Sequence, residues 1–107
     1  LLLYKDPDGY YVIQIYAWRA AGDEKIMNLT PYMMKEVSRL FFGDAQGKEF
    51  WNLLDRGFSG DTSANSSINK VLTINNRSVL IEPYESMTSI RISDVGVKFD
   101  RNYNIIK

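Results

Sequence analysis

The alternation of apolar and polar positions divides the chain into three blocks. The first opens with an apolar run over residues 1–5, followed by Asp6-Pro7-Asp8-Gly9. Pro7 presets φ for the first corner, Asp8 can bond its own backbone and Gly9 supplies a positive φ, so this segment predicts a turn. Residues 10–18 are rich in Tyr, Val, Ile and Trp and predict a strand, which makes the block a hairpin. In that strand Tyr11, Ile13, Ile15 and Ala17 share one face, and Tyr10, Val12, Gln14, Tyr16 and Trp18 share the other. Neither face is plainly polar. Either both are covered, as in a central strand, or one is an exposed aromatic surface.

A loop over residues 20–25 leads into the second block. Thr30 suits an N-cap and Pro31 the first helical position, where its missing N–H costs nothing. Met33, Val37, Leu40 and Phe41 then recur at helical spacing, and Gly43 is the natural stop. Asp44 can cap a second helix with Phe50, Trp51, Leu53 and Leu54 on its apolar side and Gly57 at its end. Gly47 falls early enough to weaken only the first turn, and the two helices make an αα-hairpin. Residues 59–67 are small and polar and read as a mobile loop separating helices from strands.

In the third block, residues 71–74 and 78–82 flank Asn75-Asn76-Arg77, and asparagine tolerates the left-handed region that a tight hairpin needs. Pro83 ends the second of these strands or places its end at an edge. Residues 88–93 alternate, with Ile90 and Ile92 on one face; Asp94-Val95-Gly96 turns the chain into a strand over 97–99. The tail adds a last extended piece with Tyr103, Ile105 and Ile106. Strands, two helices, then strands predict an α+β fold. It is a mainly antiparallel sheet, made of the N-terminal hairpin and the C-terminal strands, packed on the αα-hairpin, as a single domain over residues 1–107.

Composition narrows the chemistry more than the fold. With no His and no Cys, a Ser-His-Asp or Cys-His site is excluded, as are disulfides and thiolate-held zinc. Proton transfer would fall to Glu, Asp, Lys or Tyr. The absence of Cys suits a reducing compartment, and a cytoplasmic location is expected. Thirteen Lys and Arg balance thirteen Asp and Glu, which weakens a nucleic-acid reading and leaves self-association open. No uninterrupted apolar run, Val79-Leu80-Ile81 included, exceeds four residues, far below the ~20 residues of a membrane helix. The sequence opens on Leu1 rather than Met, so it reads as a fragment or a processed product of a longer chain.

Few motifs carry chemistry. Asp6-Pro7-Asp8-Gly9 places its Gly too early for a calcium loop and is read as a turn, and no cofactor or metal is expected. Phosphate-loop, dinucleotide and zinc-protease signatures are absent. Lys35 and Ser38 lie one helical turn apart without a feature that would activate either. Asn28-Leu29-Thr30, Asn65-Ser66-Ser67 and Asn76-Arg77-Ser78 match the glycosylation sequon, and each also has a turn or cap explanation. Glu82, Arg91 and Lys98, with Tyr84 or Tyr103, make a candidate acid–base cluster on the C-terminal strands. Ordinary cross-strand ion pairing explains the same residues.

The most distinctive feature is aromatic. Tyrosine and tryptophan bring area and a polar handle to binding surfaces at low rotamer cost. The expected role is therefore a non-catalytic protein-binding domain, an inhibitor or immunity-type protein neutralising a larger toxin or enzyme. Its binding residues would be Tyr10, Tyr16 and Trp18 on one strand face, with Asp6 and Asp8 in the acidic turn facing a basic partner. Two alternatives stand beside it. One is a small His-free nuclease built on the Glu82/Arg91/Lys98 region. The other is a winged-helix-like nucleic-acid module, with Lys48 and Arg56 the only cations of its second helix.

Overall fold

The computed structural model describes residues 1–7, 9–18 and 29–106. The chain is α+β and forms two compact units: Leu1–Tyr16 with Ser66–Lys107, and Ala17–Asn65.

The first unit is a five-stranded antiparallel sheet with a two-stranded hairpin. Its strands are β1 (Leu2–Lys5), β2 (Tyr10–Ile15), β3 (Val71–Ile74), β4 (Arg77–Pro83), β5 (Thr88–Ser93), β6 (Lys98–Phe99) and β7 (Ile105–Ile106). The large sheet runs β1-β2-β5-β4-β3, and β6 pairs with β7. The turns follow local chemistry. Gly9 sits at φ +100° and its N–H bonds the Asp6 carbonyl at 3.0 Å, closing the first hairpin. Asn75 and Asn76 both adopt positive φ, the two-residue geometry whose twist matches flanking strands. The second strand is shorter than residues 10–18: pairing ends at Ile15, opposite Thr88.

Pairing register separates two faces. On one, Ile13, Ile15, Val79, Ile81, Ile90 and Ile92 are all fully buried. On the other, Tyr10, Val12 and Leu80 form a core with Phe99, flanked by Val71 and Tyr103. Both sides of β2 are therefore covered, which is why its sequence lacks a polar face.

Hydroxyls hold the C-terminal hairpin in place. The Ser78 backbone N–H donates to Ser93 Oγ at 2.8 Å, and the Phe99 N–H donates to Ser78 Oγ at 3.2 Å. Ser93 Oγ also bonds the Val97 carbonyl. Small buried serines at these positions let β6 approach closely enough to seat Phe99.

The second unit is the expected helical hairpin. One element, α1 (Thr30–Phe58), is interrupted at Gly43, whose φ of 82° and ψ of 176° break the helix into two arms. The arms fold back on each other. Trp51 Nε1–H donates to the Pro31 carbonyl at 2.8 Å, Lys35 lies over the Trp51 ring, and Phe42 meets Phe50 edge to face.

Three local expectations change. Leu29, not Thr30, occupies the N-cap, and no side chain caps there. The helix outruns Gly57: Gly60 takes the positive φ of 91°, with Gly60 N–H on Gly57 O and Asp61 N–H on Arg56 O, a Schellman closure. Residues 59–67 are not a plain loop, because Thr62–Ser67 forms a 3-10 helix with Ala64 buried. Asp61 starts it by accepting from the Ser63 hydroxyl and, to a lesser degree, the Ser63 N–H, which hold its carboxyl below the usual aspartate range.

Candidate functional site

The aromatic face does not form as a continuous surface. Tyr10 is 7% exposed, set between Phe99 (ring centroids 6.2 Å apart) and Tyr103 (5.7 Å). Trp18 is 4% exposed and belongs to the helical unit. It stacks on Phe58 at 4.8 Å, and its Nε1–H donates to Asp55 Oδ1 at 2.9 Å. Tyr16 stays exposed and hydrogen-bonds Gln14 Oε1 at 2.8 Å. Of the acidic turn, Asp6 is half-buried and its N–H and carbonyl close the hairpin, while Asp8 lies outside the described residues. The spacing of Tyr10 and Trp18 was readable. That one would be core in the sheet and the other core in the helical hairpin was not.

What remains exposed on the first hairpin is its outer strand. Leu2, Leu3 and Tyr4 are 47%, 46% and 40% exposed on β1, the edge of the sheet. Register places Leu2 and Tyr4 on one face and Leu3 on the other, so apolar side chains flank both sides of the edge. Among the described residues no strand pairs with its outer side. Lys5 is its only charge, at the turn end, 3.7 Å from Asp94 and over the Tyr11 ring. The opposite edge, β3, is largely half-buried, with only Thr73 exposed. This edge was missed in the sequence because a four-residue apolar run reads equally as a core strand.

The C-terminal cluster partly assembles. Arg91 lies mid-face between Val12 and Leu80, and its Nη1 donates to Glu82 Oε1 at 2.7 Å and to the Tyr103 hydroxyl at 2.6 Å. The guanidinium also sits 4.2 Å from the Tyr103 ring centroid and 5.9 Å from that of Tyr10. Lys98 and Tyr84 are exposed and outside this group. With Nη1 shared by two acceptors and the ring stacked on it, Arg91 clamps the C-terminal hairpin onto the sheet. About a quarter of each side chain of the Arg91–Glu82 pair is exposed, so solvent screens part of the attraction. We expect Arg91→Met to destabilise the sheet unit by about 2 kcal/mol, because Glu82 is left half-buried without its partner. Adding Glu82→Gln should recover about half of that in a double-mutant cycle followed by chemical denaturation.

The C-terminal hairpin has its own support. Tyr103 adopts φ 63°, a left-handed conformation rare for a bulky residue, and its N–H bonds the Asp100 carbonyl at 3.0 Å. The Asp100 carboxylate accepts the Asn104 and Asn102 N–H groups at 3.1 and 2.8 Å. These bonds, Asn104's first and then Asn102's, hold its carboxyl below the ordinary aspartate range. A lowered folded pKa gives stability that is present above the unfolded value and is lost as pH falls through the folded one. Amide protection in turn 100–104 is therefore expected to persist at neutral pH and disappear on strong acidification. Asp100→Asn should remove that pH dependence in exchange measurements.

Among the described residues no three acidic side chains gather as a metal cluster, and no helix is long and apolar enough to cross a membrane. Compared with models of protein families, with curated proteins and with solved structures, the chain matches none.

Proposed function

We propose that this is a non-catalytic protein-binding domain whose contact is the outer edge of β1. The supporting observation is the edge itself: an exposed strand with Leu2, Leu3 and Tyr4 offered on both faces. Proteins blunt such edges with charges, prolines or bulges, and β1 carries one lysine at its end. An extended segment of a partner protein can add a strand there. Main-chain hydrogen bonds would supply affinity and alternate side chains specificity. Asp6 directly follows the turn end of this edge, so a partner strand with Lys or Arg at that end is favoured. Neutralising a toxin or enzyme that carries such a basic strand is the role we assign. It needs neither imidazole nor thiol.

The test uses Leu3→Glu and Tyr4→Glu, both at exposed positions. Each variant should keep the circular dichroism and melting temperature of the parent chain. Each should weaken a stoichiometric complex isolated from the native source by at least tenfold. An undiminished complex would overturn the reading, as would turnover of RNA or another substrate by the purified chain alone.

A further inference from the structure

On the face opposite the isoleucine layer, the turn after β6 and the end of β4 enclose an open cavity of about 410 Å³. Its lining residues are Asn69, Leu80, Glu82, Arg101 and Asn102. This volume lies within the ~300–1,000 Å³ of small-molecule sites. We infer that it binds a neutral polyhydroxylated ligand, a sugar presenting vicinal hydroxyls.

The argument rests on what the lining offers. Glu82 spends one oxygen on Arg91, and no other bond to its carboxylate is made among the described residues. The Asn69 and Asn102 side-chain amides and the Arg101 guanidinium likewise have no partner there. The cavity thus presents a pure acceptor, a pure donor and two groups that are both. A hydroxyl donates and accepts at one atom, and adjacent hydroxyls repeat that pattern at the spacing planar side chains can span. Charge selects the same class. A phosphate would meet the Glu82 carboxylate, an amine would meet the Arg101 guanidinium, and a neutral polyol meets a complement for each of its atoms. Leu80 supplies apolar surface for ring carbons.

Both walls are held before a ligand arrives. Arg91 fixes Glu82, and the Asn69 N–H bonds the Ile81 carbonyl at 3.0 Å. On the other side Asp100 gathers the backbone of the turn that carries Arg101 and Asn102, and Tyr103 is held at positive φ against Arg91. A site whose donors are already placed loses less entropy on binding.

The experiment is an amide-proton NMR titration of the intact chain with D-glucose, D-galactose, D-ribose and, separately, inorganic phosphate. At least one sugar should shift the Asn69 and Asn102 side-chain amides saturably at millimolar concentration, with no matching response to phosphate. Arg101→Ala and Asn69→Gly, both at exposed positions and the glycine keeping the φ of 60° at residue 69, should each weaken that binding at least tenfold. Leu3→Glu should leave it unchanged, which separates this site from the β1 edge. Saturation by phosphate alone, or no saturable shift by any of the sugars, would overturn the inference.

Discussion

Replacing Phe99 with alanine should destabilise the sheet unit by about 3–5 kcal/mol, the range for truncating a large buried aromatic ring. Phe99 is 1% exposed and closes the core of Tyr10, Val12 and Leu80. Its ring meets Tyr10 and Tyr103 edge to face, at 6.2 and 5.9 Å. Its backbone N–H is already committed to Ser78 Oγ, so β6 cannot shift inward to fill the void without giving up that bond. Truncation therefore leaves most of the cavity open. Trp18 and Trp51 both belong to the helical unit, so fluorescence is the wrong probe. The loss should appear in the methyl signals of Leu80 and Val12 and in near-ultraviolet tyrosine dichroism. A cost below about 1 kcal/mol would mean that this ring does not close the core.

The helical hairpin has a corresponding weak point at Gly47. A methyl group there would lie 2.7 Å from the Ser38 carbonyl oxygen and 2.8 Å from the Arg39 Cα. The obstructing atoms are backbone, so no rotamer change relieves the clash. Gly47→Ala should cost about 3 kcal/mol, the upper part of the overpacking range, despite alanine's better helix propensity. Gly57 provides the matched control. A methyl group there meets only the Ala64 Cβ, at an ordinary 3.7 Å. Gly57→Ala should be neutral or stabilising by up to about 1 kcal/mol. Here tryptophan fluorescence is the right readout, since both rings pack in this unit. Equal effects from the two substitutions would contradict the close approach of the arms.

The contrast between these glycines shows where the sequence was informative. Spacing alone located both arms of the helical hairpin, the break at Gly43, the asparagine turn at 75–76 and the isoleucine face of β5. These depend on local periodicity and turn chemistry. In the sequence Gly47 looks like a propensity defect only, because its reason is non-local: it lies against Ser38 across the hairpin. Residues 59–67 looked like a loop because small polar residues carry no periodic signal, yet Asp61 nucleates a 3-10 turn there. The binding face was the largest departure. Tyr10 and Trp18 share a strand parity in sequence, but β2 ends at Ile15, so that parity does not extend to Trp18. Tyr103, which the sequence groups with Glu82 and Arg91, does partner Arg91, but its packing on Tyr10 has no signal in the sequence. The cavity joins residues from positions 69 to 102, and only the fold brings them together.

The protein-binding account is tested most directly by amide hydrogen exchange across β1, with the chain alone and in its stoichiometric complex. Strand addition predicts strong new protection at the amides of Leu3 and Lys5, which face the free edge while those of Leu2 and Tyr4 face β2, and its absence in Leu3→Glu. Protection that appears elsewhere while the Leu3 and Lys5 amides exchange as in the uncomplexed chain would contradict it.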